Sequence, residues 1–422
     1  MKMDYRDTER GAEVAARTEA FLEEEVLPRE REWLGGRDAG SDSDRQAEGE
    51  ALVEELREEA RERDVFAPQL SEEYGGLGLA FEDLLPVFEQ AGRSILATRA
   101  MHVAAPDEGN MHILELAGTE AQKERWLGPL ARGEITSGFS MTEPAQGGGS
   151  DPKQVQTTAE RDGDEYVITG HKWWTTQGSE ADLLVVVART DWEAHPYVGC
   201  SLFLVPADTA GVEIRRDVPH IGESGLSHAE ITYDHVRVPE ENMLGAENAG
   251  LAVAQQRLGP ARLTHCMRFI GMADRALDVA KAYMNERTAF GDPLIEKQAL
   301  RFDISDAEMR LHAARTMVRH AARTLVADGE ARVEVAMSKV FAAETTQDII
   351  DTCVQICGGN GIGKDLPLAD FYENVRAFRI VDGADEVHLR SIAKRALDED
   401  EIHPAELEYL TRFREDLSVG GE

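Results

Sequence analysis

The sequence predicts an α+β fold with an N-terminal helical domain, a middle antiparallel β domain and a C-terminal domain of four-helix-bundle type. Three observations predict it. Residues 1–135 carry Glu-, Leu-, Ala- and Arg-rich segments broken by Gly and Pro. Residues 136–245 switch to short β-branched and aromatic runs between turn signals. Residues 246–400 return to long helical periodicity with few breaks, and residues 401–422 form an acidic tail.

The elements follow in order. Ala51–Arg63 and Phe81–Gly92 read as helices, and the YGGLG stretch from Tyr74 to Gly78 reads as a turn between them. Residues 41–50 (SDSDRQAEGE) are polar and read as a mobile surface segment. Strands are expected at Glu165–Trp174, Leu183–Ala188, Ser201–Val205 and Ala229–Tyr233. The turns between them are Asp162-Gly163-Asp164, Ala210-Gly211 and Ile221-Gly222. Leu263, Met267, Ile270, Leu277, Ala280 and Met284 step by three, four and seven, which marks one face of a helix. Further helices are expected over 295–328 and 331–357, and these suit an antiparallel bundle.

Composition excludes several classes. Eighty acidic residues against 45 basic give a net charge of −35, which repels nucleic acid and anionic lipid. Of the 45 basic residues only nine are Lys. This excess of carboxylates reads as salt adaptation and a halophilic origin, since high ionic strength screens the self-repulsion. The longest aliphatic run, Leu183–Ala188, is strand-sized, so no membrane span is expected. The charged start MKMDYRDTER has no apolar signal region, which makes the cytoplasm the default location. Cys200, Cys266, Cys353 and Cys357 form no CxxC pair and read as buried apolar residues. There is no G-x-S-x-G elbow, P-loop or H-E-x-x-H.

Four segments hold patterns that packing alone does not require. Phe139–Asp151 (FSMTEPAQGGGSD) places Thr142 and Ser150 around three glycines, which let backbone N–H groups approach a ligand. The plainer reading is a flexible interdomain loop. In His171–Gly178 (HKWWTTQG), Trp173 and Trp174 are strand neighbours and cannot both enter the core. One of them suits a flat ring, with Thr176 donating to its edge. Gln355–Gly363 (QICGGNGIG) closes a helix without matching a dinucleotide fingerprint, and reads by itself as a C-cap. In Arg376–His388 (RAFRIVDGADEVH), Asp382 with Asp385 reads by itself as an N-cap pair.

In this order and at these distances, the four segments resemble the acyl-CoA dehydrogenase family. The likeness runs from about residue 50 to 400 and includes Arg287–Gln298 (RTAFGDPLIEKQ), which is similar to the family's R-x-x-F-G element. The resemblance implies FAD as cofactor, an acyl-CoA substrate, an electron-transfer flavoprotein as acceptor, and a homo-oligomer, either dimer or tetramer. It places Phe139, Met141, Thr142, Trp174, Thr175 and Thr176 around the flavin ring. It places Arg287, Phe290, Gln298, Gln355, Cys357, Gly358 and Gly359 around the dinucleotide across a subunit interface, with Ala384 and Glu386 also on the cofactor. Ser150, Arg257 and Gly383 would face the substrate. Asp382 would be the catalytic base.

Asp382 stands where the family usually carries Glu, as in a divergent branch and in nitroalkane oxidases. Ala384 replaces a Thr, and the glycine loop is two residues longer than the common spacing. Gln256 matches the family's alternative base position and cannot serve, which supports Asp382. The implied chemistry is α-proton abstraction by a carboxylate whose pKa is raised by burial against substrate and flavin. A flavin oxidase of the same fold acting on a non-CoA substrate, and a scaffold that has lost its flavin, are the competing readings.

Overall fold

The computed structural model describes residues 6–35, 42–144, 147–149, 151–221 and 227–398. The N-terminal helices are α1 (Glu9–Phe21), α2 (Leu27–Gly35), α3 (Asp42–Glu62), α4 (Phe81–Gly92), α5 (Ile95–Ala100), α6 (Asp107–Ala117), α7 (Glu120–Gln122) and α8 (Gly128–Ala131). The segment expected to be mobile is helical from Asp42 onward. Its Glu, Gln, Ala and Arg residues favour helix.

Strands β1 (Ser137–Ser140), β2 (Thr158–Asp162), β3 (Glu165–Thr176), β4 (Leu183–Arg189), β5 (Cys200–Pro206), β6 (Val212–Asp217), β7 (His228–Pro239) and β8 (Met243–Leu244) make one sheet. Its order is β6-β7-β3-β2-β4-β5-β8, and β1 joins β4 in parallel. Most pairs are antiparallel, as expected; the β1–β4 and β2–β4 pairs are parallel. Strand β4 is buried throughout because the sheet is covered on both faces. Leu183, Val185 and Val187 enter the core shared with the helices, while Leu184, Val186 and Ala188 enter a second, smaller core. The period of two splits one apolar run between two cores.

The C-terminal helices are α9 (Gly250–Glu286), α10 (Gln298–Asp328), α11 (Arg332–Cys357), α12 (Gly359–Ile362), α13 (Leu368–Phe378) and α14 (Asp385–Ala396). A short hairpin, β9 (Thr288–Ala289) with β10 (Asp292–Pro293), separates α9 from α10. All six periodic positions of α9 are buried. Helix α4 crosses α9 at two glycines. A Cβ on Gly271 would lie 1.8 Å from the Glu89 carbonyl oxygen, and one on Gly92 would lie 2.0 Å from that of Arg268. Backbone touches backbone there, and that contact ties the N-terminal helices to the bundle. All four cysteines are free and buried, and no helix among the described residues is long and apolar enough to cross a membrane.

Candidate active site

Asp382 lies between α13 and α14 with φ +57°, a left-handed conformation uncommon outside glycine. It does not cap α14, whose N-cap is Ala384 with no side-chain hydrogen bond. Three side chains hold its backbone instead. Arg262 Nε and His388 Nε2 donate to the Asp382 carbonyl at 2.8 and 3.1 Å. Lys339 Nζ donates to the Gly383 carbonyl at 3.0 Å and to Asp385 Oδ1 at 2.9 Å, and Arg379 Nε binds the other Asp385 oxygen at 2.7 Å. Gly383 is required: its φ is +96°, and a Cβ there would lie 2.9 Å from His388 Nε2. Helices α9, α11 and α14 thus clamp one tight turn.

The carboxylate itself is 14% exposed. His265 Nδ1, on α9, sits 2.8 Å from Asp382 Oδ2 and 3.0 Å from the Ala261 carbonyl. Both neighbours are acceptors, so Nδ1 carries the proton. That proton serves Ala261, and Oδ2 remains a buried oxygen without a hydrogen bond. Burial pushes the Asp382 carboxyl up, but its close contact with His265, and then the Arg257 and Arg262 guanidiniums, outweigh it and hold the group below the usual Asp range. The expectation of a raised pKa is therefore not met: burial acts in that direction, but the groups around the carboxylate reverse it.

Arg257 links this centre to the sheet. It is buried on α9, its Nε donates to Asn110 Oδ1 at 3.1 Å, and its guanidinium lies 4.4 Å from the centroid of the Phe139 ring. It therefore sits as a fixed charge beside β1 whose field reaches Asp382.

The segment after β1 is anchored from beneath. Glu143 is buried, and its two carboxylate oxygens accept from Lys172 Nζ at 2.8 Å and from the backbone of Gly148, Gln156 and Thr157 at 3.1, 2.7 and 2.9 Å. Burial opposes its ionisation, yet Lys172 and these donors hold its carboxyl below the ordinary value. Lys172 also reaches the Met141 carbonyl, and Trp173 N–H donates to that of Thr142. Phe139, Met141 and Thr142 are thereby fixed beside β3, all half-buried. Ser150 lies outside the described residues.

At the end of β3 a bulge between Lys172 and Thr175 gives Trp174 a φ of +56° and leaves it 40% exposed. Trp173 is half-buried. Thr175 turns inward, fully buried, within 3.3 Å of Ser140 Oγ. Its hydroxyl faces the core and not a ligand, because strand neighbours point opposite ways. Thr176 returns to the Trp174 side, where His228 Nδ1 is 3.0 Å from its Oγ1.

The remaining residues lie on the outside. Arg287, Gln298, Gln355, Gly358, Gly359 and Glu386 are exposed, and Phe290 on the hairpin is 101% exposed. Ala384 is half-buried at the start of α14. Cys357 is the exception: its side chain is buried and burial pushes its thiol up to about 11, so only its backbone is available to a ligand. Gly358 adopts φ 57°, ψ −130°, with open space around it and around Gly359. Among the described residues no His, Cys, Asp or Glu cluster could hold a metal.

Family models for the N-terminal, middle and C-terminal domains of acyl-CoA dehydrogenase match residues 8–134, 138–236 and 248–397. This chain belongs to the acyl-CoA dehydrogenase family. The probable acyl-CoA dehydrogenase FadE2 of Mycobacterium tuberculosis is 41% identical over 401 residues, 94% of this chain and 97% of that one. Acyl-CoA dehydrogenase family member 11 of Rattus norvegicus is 35% identical over 94% of this chain, which spans only 51% of the rat protein. A glutaryl-CoA dehydrogenase of Mycobacterium smegmatis, solved with FADH2, aligns at TM-score 0.79 and 25% identity over 93% of this chain and 95% of that one. The family's acyl-CoA oxidoreductase chemistry and its FAD cofactor come with membership. The residues present fit FAD: an aromatic plate held out by a bulge, a hydroxyl beside it, and an open glycine cradle.

Sequence reasoning missed His265, Arg262, Lys339 and His388. No local pattern marks them; they converge only when α9, α11 and α14 pack around one turn.

Proposed function

We propose that this protein dehydrogenates the α,β bond of an acyl-CoA thioester to the trans-2-enoyl-CoA and passes the electrons to an electron-transfer flavoprotein. One observation carries the reading: Asp382 presents a buried carboxylate oxygen without a hydrogen bond, among cations and one guanidinium away from Phe139. Such an oxygen is costly unless a ligand meets it. Asp382 removes the α-proton of the thioester. With FAD bound, Trp174 would cover one face of the ring, Phe139, Met141 and Thr142 would line its edge, and Thr176 would bond near N5. FAD, when bound, accepts the hydride from Cβ. Backbone N–H groups around the 382–384 turn stabilise the charge that develops on the thioester oxygen. Arg287, Phe290, Gln298 and the Gln355–Gly359 turn serve the dinucleotide of a neighbouring subunit in a dimer or tetramer. Their exposure in one chain supports that role, Phe290 above all.

Asp382→Asn tests the proposal. The variant should fold and bind FAD, and lose roughly two or more orders of magnitude in the rate of anaerobic flavin bleaching by acyl-CoA. Bleaching at the wild-type rate would remove Asp382 from the mechanism. Peroxide formation without any CoA ester would instead favour an oxidase acting on another carbon acid.

A further inference from the structure

The pair formed by Thr176 and His228 stands behind the proposed flavin position, and no role has been given to His228. His228 opens β7, opposite Thr176 in the sheet register. Its Nδ1 lies 3.0 Å from Thr176 Oγ1. Its ring packs edge-on against Trp174 at 5.7 Å and against His220 at 4.5 Å between centroids. His220 is fixed in turn, with Nδ1 2.9 Å from the Val218 carbonyl. The two imidazoles therefore support both the aromatic plate and the hydroxyl.

A threonine hydroxyl has one proton to give. A neutral imidazole prefers in water to carry its proton on Nε2, which leaves Nδ1 as an acceptor. Burial and the neighbouring His220 push the His228 pKa down to about 4, so the ring is neutral at ordinary pH. Thr176 then gives its proton to Nδ1 and turns lone pairs toward the ring. Oxidised flavin offers a bare N5, which needs a donor. The substrate's hydride brings two electrons and one proton to N5, which becomes an N–H donor and needs an acceptor. A hydroxyl already committed to His228 fits the second state.

We infer that His228 is a positioning residue that sets the reduction potential of the bound flavin by fixing the direction of the Thr176 hydrogen bond. This rests on Thr176 lying against N5, as proposed above. Without the imidazole, the hydroxyl is free to turn and donate to oxidised N5.

The test is the midpoint potential of the purified holoenzyme, measured by equilibration with a reference dye at one pH. His228→Phe keeps a ring against Trp174 and His220 but has no nitrogen. Its preference for reduced over oxidised FAD should fall roughly tenfold, which is about 30 mV lower for a two-electron couple. A purely structural role would weaken both forms alike and leave the potential in place. If His228→Phe does not hold FAD, His228→Leu supplies the same measurement. Thr176→Val separates the role of His228 from the placement of Thr176. If Thr176→Val shifts the potential and neither His228 variant does, the inference fails while the placement of Thr176 stands. If none of the variants shifts it, the inference and that placement both fail.

Discussion

His265 matters because of what it does to a carboxylate, and the sign of its effect is testable. Asp382 must be ionised to take a proton, and its cationic neighbours keep it ionised well below the ordinary Asp range. The wild-type enzyme should therefore show no loss of activity near pH 4 that belongs to this group. In His265→Leu the largest charge partner is gone while burial remains, so the carboxyl pKa rises. The acid limb of kcat/KM should move to higher pH, toward the ordinary Asp range. An unmoved limb would show that His265 is not its charge partner. Asp107 gives the opposite case. Burial pushes its carboxyl up to about 6 even though Ser137 N–H and hydroxyl both donate to it. Its folded value exceeds the unfolded one, so stability is lost as pH rises from about 4 to about 6. A shift of two units is worth about 3 kcal/mol. Asp107→Asn should unfold at higher denaturant than wild type at pH 7, with the difference vanishing below pH 4.

At the scale of elements, the sequence was most legible where one element decides its own fate. The face of α9 and the six-residue run of β4 follow from periodicity alone, whereas Trp174 is turned outward by a bulge that alternation does not foresee. Thr175 and Cys357 sit inside motif segments, yet their side chains face inward, because a motif marks a stretch of backbone and the fold decides which members point outward. The polar start of α3 reads as disorder from composition and is a helix. The Thr142–Thr157 loop depends on a partner that no local pattern names: Glu143 ties it to Lys172 of β3 with both side chains sealed from water. Glu143→Gln would leave the Lys172 charge buried and unpaired. Urea unfolding should show a loss of about 3–5 kcal/mol, and FAD affinity should fall with it as the Met141–Thr142 segment loosens. A variant as stable as wild type would show that water replaces the carboxylate.

For the whole molecule, the order helical, β, helical was readable from composition shifts, and Asp382 entered as the proposed base through the resemblance. The clamp around it was not readable, because Arg262, Lys339 and His388 are unremarkable helix residues until three helices meet. The net charge of −35 is a property of the surface as a whole. Many carboxylates pair with arginine, as in Arg93 with Asp278 and Arg237 with Asp162, but the excess remains uncompensated. We propose that the protein is salt-adapted. Its melting temperature should rise steadily from low to molar KCl as the Debye length shrinks from about 10 to about 3 Å. A melt that does not move with salt would rule this out.

The long side chains that reach residues 382 and 383 of the turn hold them through their carbonyl oxygens. Those oxygens exist whatever side chain occupies position 382. The scaffold fixes where a reactive group starts without fixing its length or chemistry. Randomising this single position would therefore sample new reagents from a constant launch point.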